Sequence, residues 1–526
     1  MTDDRPDLAS ELSPREFLRW IWRQLTSMRT ALSLLLLLAI VAIPGSLLPQ
    51  RGVNPRLVEA YLIDHPTVGP VLDTLGLFSV YTSPWFSGVY LLLMVSLVGC
   101  ILPRTAVYLR ALRARPPKVP RNLLRFPASS ELVTSSSPDE VVAAARTALG
   151  RARVDVVERE LPDGGSAVEL SAEKGYLREA GNLLFHVSIV VVLVGVAMTA
   201  LLGYRGAAIV VEGDRFSNVL TQYDEFGSGA LFDRDDLPPF TVTLDDFAAT
   251  YQVDGPQRGA PRSFEATGTY AEGVDGSEHP FSIRVNHPLE VGGASVFLVG
   301  QGYAPVIRVT DPDGQVVYDE AVPFLPADAS YTSNGVVKVP EARPEQLGFQ
   351  GFFLPTFVQG DDGATRSVFP APLAPILGLF VWHGDLGLDD GRPQSVYVLD
   401  KTKMTQYMTG DKGYRVSLQK GQSQKLPDGN TITFVDLKQF ARFQIAATPG
   451  IEVPLVGIVA GLIGLIGSLS IRPRRTWVRA RREGSRTVVE VAVLDRVPRV
   501  DLPADLERFT GRMTEQLVPV DEGDAS

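Results

Sequence analysis

The chain has 526 residues, more than one ordinary domain needs, with a formal net charge of −10 and 45% hydrophobic residues. Its single cysteine, Cys100, excludes a dithiol that the chain cycles by itself. Long apolar runs alternate with long polar stretches, the pattern of a membrane protein with large soluble parts.

In chain order, residues 1–30 read as an inner N-terminus. Within it, Pro14 to Arg29 reads as an interfacial helix, with Phe17, Leu18, Trp20, Ile21, Trp22 and Leu25 at headgroup level. The first apolar run is 31–48. No small-residue cleavage site clearly follows it, so it reads as a retained span rather than a signal peptide. An outer loop, 49–85, leads to a second run, 86–109. Residues 110–180 follow as an inner α+β loop: Ser137-Pro-Asp-Glu140 is a capping box with proline at the first helical position, opening a helix from Asp139 to Leu149. Val154–Val157, the turn Pro162-Asp-Gly-Gly165 and Ala167–Leu170 then read as a hairpin.

The third run is 181–203, and the segment after it, 204–450, is β-rich. Alternation marks strands at Phe240–Leu244, Phe281–Val285, Pro305–Thr310, Ser395–Leu399 and Thr431–Val435, with turns at Asp313-Gly314, Asp362-Gly363 and Asp428-Gly429. One or two antiparallel sheets packed as sandwiches are expected. The fourth run is 451–471, and 472–526 reads as an inner tail, first basic and then acidic, with an amphipathic helix near Ala504 to Leu517. Each of the four runs reaches the length of about 20 helical residues that crosses a hydrocarbon core. The expected fold is therefore an integral membrane protein with four spanning helices, a large β-rich extracytoplasmic domain and a small cytoplasmic α+β domain.

Lysine and arginine set the orientation. Arg15, Arg19, Arg23 and Arg29 precede the first run. Arg104, Arg110, Arg113, Arg115, Lys118 and Arg121 lie at or beyond the end of the second. Arg472, Arg474, Arg475, Arg479, Arg481 and Arg482 follow the fourth, whereas the loop between the first two runs carries only Arg51 and Arg56. Both termini are expected inside the plasma membrane, and residues 204–450 outside. That outer segment has 19 Lys and Arg against 31 Asp and Glu, a balance of −12, which argues against nucleic acid and anionic lipid as partners of that face.

The chemistry is sparse. There is no CxxCH, no phosphate-cradling GxxxxGK[ST] and no HExxH, and the five histidines (His65, His186, His279, His287 and His383) include no close metal pair. His279 and His287 read as surface or turn residues. His186 stands apart as the one ionisable residue in the run Gly181 to Gly203. A polar residue in a spanning helix is costly and usually faces protein or a cavity. An imidazole there suits proton relay or ligation of a metal such as haem iron. A relay needs a chain of ionisable groups, and no Asp, Glu or Lys lies in the middle of any run. This favours ligation, and one histidine fills one axial position. The alternative is a buried histidine satisfied by its neighbours, for which Asn182 and Ser188 are at hand.

The layout and several stretches resemble the ResB (CcsB-type) family of the System II cytochrome c biogenesis machinery, with the actinobacterial branch as the nearest likeness. The stretches are Pro44-Gly-Ser-Leu-Leu-Pro-Gln50, Glu173-Lys-Gly-Tyr-Leu-Arg-Glu-Ala-Gly-Asn-Leu-Leu-Phe-His186, Phe216-Ser-Asn-Val-Leu-Thr-Gln-Tyr-Asp-Glu-Phe226, Val285-Asn-His-Pro-Leu289 and Gly300-Gln-Gly-Tyr-Ala-Pro305. The resemblance implies a ResC (CcsA-type) membrane partner, apocytochrome c as client, and haem b shared with the partner, with His186 as one axial ligand. A thioredoxin-like thiol reductant is a further implied partner. The family's tryptophan-rich haem-handling motif belongs to the partner, in keeping with the scattered tryptophans here. No independent catalytic site is evident in this chain, which would act as part of a haem-transfer and cytochrome c synthase complex. A membrane-anchored sensor, or a scaffold without haem contact, is the alternative with the same layout.

Two expectations are directly measurable. An alkaline phosphatase fused near residue 330 should be active outside the cell and one near residue 150 inactive; the reverse pattern overturns the orientation. Cys100→Ser should leave cytochrome c maturation intact, and complete loss at normal protein levels would reveal a thiol role.

Overall fold

The computed structural model describes residues 13–160, 166–359, 365–391, 395–495 and 501–519. The turns expected at 162–165 and 362–363 lie outside them. The chain divides into two compact units, Met1–Ala197 with Gly450–Ser526, and Met198–Pro449.

In the first unit, helix α1, Pro14–Leu25, opens on a second capping box: Ser13 Oγ accepts from the Glu16 amide, and Glu16 accepts from the Ser13 amide. Phe17, Trp20 and Trp22 are all exposed. The helix stops at Leu25, and Ser27 caps a new one, α2, Met28–Leu47. Arg29 therefore belongs to the first spanning helix and not to the interfacial one. Two short helices, α3 (Pro55–Asp64) and α4 (Gly69–Thr74), fill the loop before α5, Pro84–Arg113. Here the Pro44–Gln50 stretch has a structural role. A Cβ on Gly45 would stand 2.8 Å from the Tyr81 ring. Gln50 holds the loop with both ends of its amide, accepting from the Val80 amide at 3.0 Å and donating to the Leu77 carbonyl at 3.0 Å. At its other end, α5 grips the α1–α2 junction: Ser96 donates to the Leu25 carbonyl at 2.5 Å and Cys100 to that of Thr26 at 2.8 Å.

Helix α6, Pro138–Leu149, has the expected capping box, and α7, Leu177–Leu202, and α8, Glu452–Ser470, complete the helices long and apolar enough to cross a membrane. α7 and α8 meet through glycine. A Cβ on Gly181 would lie 2.7 Å from the Gly464 carbonyl; one on Gly464, 2.7 Å from the Phe185 amide; one on Gly461, 2.6 Å from Ser188 Oγ. Small residues at such spacing let two backbones approach where no hydrophobic effect drives association.

The remainder of this unit is a five-stranded antiparallel sheet covered by α6 and by α9, Leu502–Thr514. Numbering only its strands, it comprises β1 (Ala128–Thr134), β2 (Arg153–Glu160), β3 (Ser166–Lys174), β4 (Arg474–Glu483) and β5 (Arg486–Asp495), in the order β1-β5-β4-β3-β2. The hairpin expected around 154–170 is β2–β3. The expected inner tail is not a separate element: β4 pairs with β3 from Arg474↔Lys174 to Arg481↔Ala167, in the middle of the sheet. The physical reason is that Val478 and Ala480 alternate with arginines and are fully buried against α6 and α9, together with Val489 and Val491 of β5. One arginine is buried on the opposite face of the sheet, beneath the segment 117–126. Arg479, 8% exposed, bonds Glu169 at 2.8 Å, Glu490 at 2.9 Å and the Pro120 carbonyl at 2.7 Å.

The second unit is β-rich, as expected. Two long strands, Ala294–Thr310 and Thr431–Ala447, pair antiparallel along their length and serve two cores. One end packs Val296, Phe443 and Ile445 against Val242, Leu244 and Ile283 of a four-stranded sheet. The other packs Ile307, Val309, Ile432 and Phe434 against Phe349, Leu379 and Val381 of a six-stranded sheet. Four of the five predicted strands are present. Ser395–Leu399 is instead a turn: Val396 and Val398 are exposed, only Leu399 is buried, and the Tyr397 amide donates to Ser395 Oγ rather than to a ladder.

Removing one partner of a buried ion pair leaves the other charged and desolvated, a loss of about 3–5 kcal/mol. Arg479→Ala is therefore expected to lower the thermal midpoint of the detergent-solubilised protein sharply, and Arg479→Met with Glu169→Leu to lower it less. A single variant as stable as wild type contradicts this account of the sheet.

Candidate functional site

The stretch leading into α7 is a structural joint. Glu173 of β3 pairs with Arg153 and Arg475 at 3.2 and 3.3 Å. Gly175 has a positive φ of 80° and lies directly against the Arg472 carbonyl, so no side chain fits there. Arg178 donates to the Ser468 carbonyl at 3.3 Å, tying the start of α7 to the end of α8. Gly181 then sets the close helix contact.

His186 follows one turn later. Its Nδ1 lies 2.8 Å from the Asn182 carbonyl. A carbonyl only accepts, so Nδ1 carries the proton and Nε2 of the neutral ring carries the lone pair. Nε2 has no hydrogen-bond partner among the described residues. At 3.6 residues per turn, His186 stands roughly 160° round the helix from Ser188, which is buried against Gly461 of α8. The imidazole thus projects on the face of α7 turned away from α8, half-buried, edge-on to Phe185 at 5.4 Å. Further along that face, Tyr90 of α5 donates to the Leu193 carbonyl at 2.5 Å. Asn182 contributes its backbone rather than its side chain, and Ser188 bonds the Phe185 carbonyl at 2.7 Å, so neither satisfies Nε2.

An imidazole fixed through Nδ1 by a backbone carbonyl is the usual arrangement of a metal-ligating histidine. The donor set fits one axial position of a haem and no more: no group of three His, Cys, Asp or Glu side chains able to hold a metal occurs among the described residues. His65 lies in the α3–α4 segment at the opposite end of the spanning helices, bonded to the Tyr61 carbonyl at 3.1 Å and stacked on the Tyr61 ring.

The other histidines are not brought together with it. His279 is exposed, bonded to Ser277 and packed on Tyr270. His287 is exposed in a turn formed by Asn286 at a φ of 64°. His383 is bonded to Glu345 at 2.5 Å and stacked on Tyr407. Two more of the stretches that carry the resemblance have structural roles. Asn218, 3% exposed, accepts from Tyr223 at 2.5 Å and donates to the Pro238 carbonyl at 2.8 Å. Burial pushes the Tyr223 phenol far above its ordinary range, so it stays a neutral donor. Gly292 and Gly293 form a hairpin turn, and Gly302 is a strand residue covered by the Phe440 ring.

The architecture is that of a membrane protein whose spanning helices carry one preoriented histidine and whose third and fourth spans flank a β-rich unit. The chain belongs to the ResB-like family, whose family model matches residues 28–507. It is 26% identical over 466 residues to the cytochrome c biogenesis protein CcsB of Synechococcus sp. (strain RCC307), covering 86% of this chain and 88% of that one. It is 23% identical over 462 residues to the CcsB of Synechococcus sp. (strain WH7803), at 86% and 89% coverage. A shorter match, 28% over 200 residues, is to the CcsB of Trichormus variabilis. These relatives are cyanobacterial and do not carry the expected actinobacterial affinity.

Proposed function

We propose that this chain is the ResB component of a System II cytochrome c maturation complex, acting with a ResC/CcsA-type membrane partner in delivering haem and attaching it to apocytochrome c. The observation that carries the site is the Nε2 lone pair of His186, fixed on the face of α7 turned away from α8. In this reading His186 is an axial ligand of a haem b whose other ligand comes from the partner. The haem supplies the iron centre and is the cargo to be attached to apocytochrome thiols.

The residues of this chain bind and orient. The Asn182 carbonyl holds the imidazole in the tautomer that offers Nε2. Leu183 and Val190, one turn before and after it on the same face and half-buried, offer an apolar surface suited to a porphyrin edge or a partner helix. The glycine contact keeps α8 off the His186 face of α7. The same reading places both termini and the five-stranded sheet in the cytoplasm and residues 204–450 outside, where the acidic balance suits recruitment of basic apocytochrome segments by electrostatic steering. A thioredoxin-like reductant must supply the thiol chemistry, since Cys100 is this chain's only cysteine.

His186→Ala tests the proposal. The complex should assemble, carry haem about tenfold more weakly or more, the scale on which even outer-shell partners of a metal ligand act, and mature cytochrome c poorly. Added imidazole should restore part of the haem spectrum and of maturation. Full haem content, an unchanged spectrum and normal maturation would return His186 to a structural role.

A further inference from the structure

A cavity of about 390 Å³ opens in the sheet domain between the end of α6, the ends of β3 and β4 that adjoin the membrane helices, and α9. Four basic side chains line it, Lys174, Arg474, Arg508 and Arg512, against one acid, Asp505. Their commitments differ. Arg474 is paired with Asp495 at 3.1 Å and with Asp505, which also takes Arg508. Arg512 gives only its Nε, to the Arg508 carbonyl at 3.3 Å, and neither Arg512 nor Lys174 has an ion pair among the described residues. The rim is therefore cationic. The walls beneath it are apolar, with Leu149, Val493 and Phe509.

The position is as specific as the charge. Lys174 ends β3, and α7 begins at Leu177; Arg474 opens β4 just after α8 ends at Ser470. The two are register partners. The cavity thus sits where the sheet meets the two spanning helices, which the proposed topology puts at the level of lipid headgroups.

We propose that this pocket binds a phosphate ester presented at the membrane surface, with an acidic phospholipid headgroup as the ligand its position favours. The guanidinium of Arg512 offers a planar fork that matches two phosphate oxygens, and Lys174 a mobile point charge opposite. The glycerol portion lies against Leu149 and Phe509. A lipid held here clamps the strands that adjoin α7 and α8.

The test uses the full-length protein in detergent, titrated with phosphatidylglycerol and, separately, phosphatidylcholine, with bound lipid counted by native mass spectrometry. Wild type should retain phosphatidylglycerol selectively. Lys174→Gln with Arg512→Gln should weaken it roughly tenfold or more, given what each basic group contributes near an anionic surface. Arg110→Gln with Arg113→Gln, the same charge loss at the end of α5, should not. If the double variant loses its near-UV circular dichroism, Arg512→Gln alone carries the test. Displacement of the lipid by an equal concentration of glycerol phosphate would keep the phosphate chemistry and overturn the lipid assignment. Equal binding by wild type and pocket variant, or equal loss in the α5 variant, would overturn the site.

Discussion

Backbone contact between α7 and α8 is the constraint on which the membrane part of this chain depends. Gly181, Gly457, Gly461 and Gly464 remove the side chains that would hold the helices apart. That closeness passes into the soluble parts through chain connection. The strands adjoining the helices on one side, β3 and β4, are hydrogen-bonded neighbours, and Gly175 accommodates the approach of their linkers. Residues more than 250 apart in sequence thus become neighbours.

This arrangement explains the behaviour of His186. With one face of α7 committed to α8, the imidazole has the other, where its own helix supplies the Nδ1 acceptor and nothing described occupies Nε2. A histidine kept only for packing would have both nitrogens satisfied in so apolar a setting, because an unpaired polar atom there is costly. The scaffold and sensor alternatives assign no task to that nitrogen; ligation does.

Much of this was legible in the sequence because it is local. The four helices long enough to span, the Ser137 capping box, the hairpin around 154–170 and the place of His186 on the third of those helices all follow from composition and short-range pattern. What was not legible depends on distant partners. The basic segment 474–483 looked like a tail because its arginines mask the alternation of Val478 and Ala480, and its neighbour β3 lies some 300 residues earlier. Ser395–Leu399 alternated like a strand, yet Val396 and Val398 point to solvent and no neighbouring strand claims it. The glycine spacing of the fourth run was visible, and small residues three and four apart in an apolar run are a readable sign of a helix contact. The Pro44–Gln50 stretch gave no clue that its glutamine braces a loop, since Val80 and Leu77 are far along the chain.

The central claim concerns one nitrogen, and labelling reaches it directly. If this chain alone is supplied with heavy-nitrogen histidine and assembled with an unlabelled ResC-type partner, pulsed electron paramagnetic resonance of the low-spin haem reads which nitrogens bind iron. The account predicts a heavy-nitrogen coupling of the strength of a directly coordinated imidazole, abolished by His186→Ala. Iron nitrogens that are all of the light isotope would show that no histidine of this chain is a ligand, and would contradict the account.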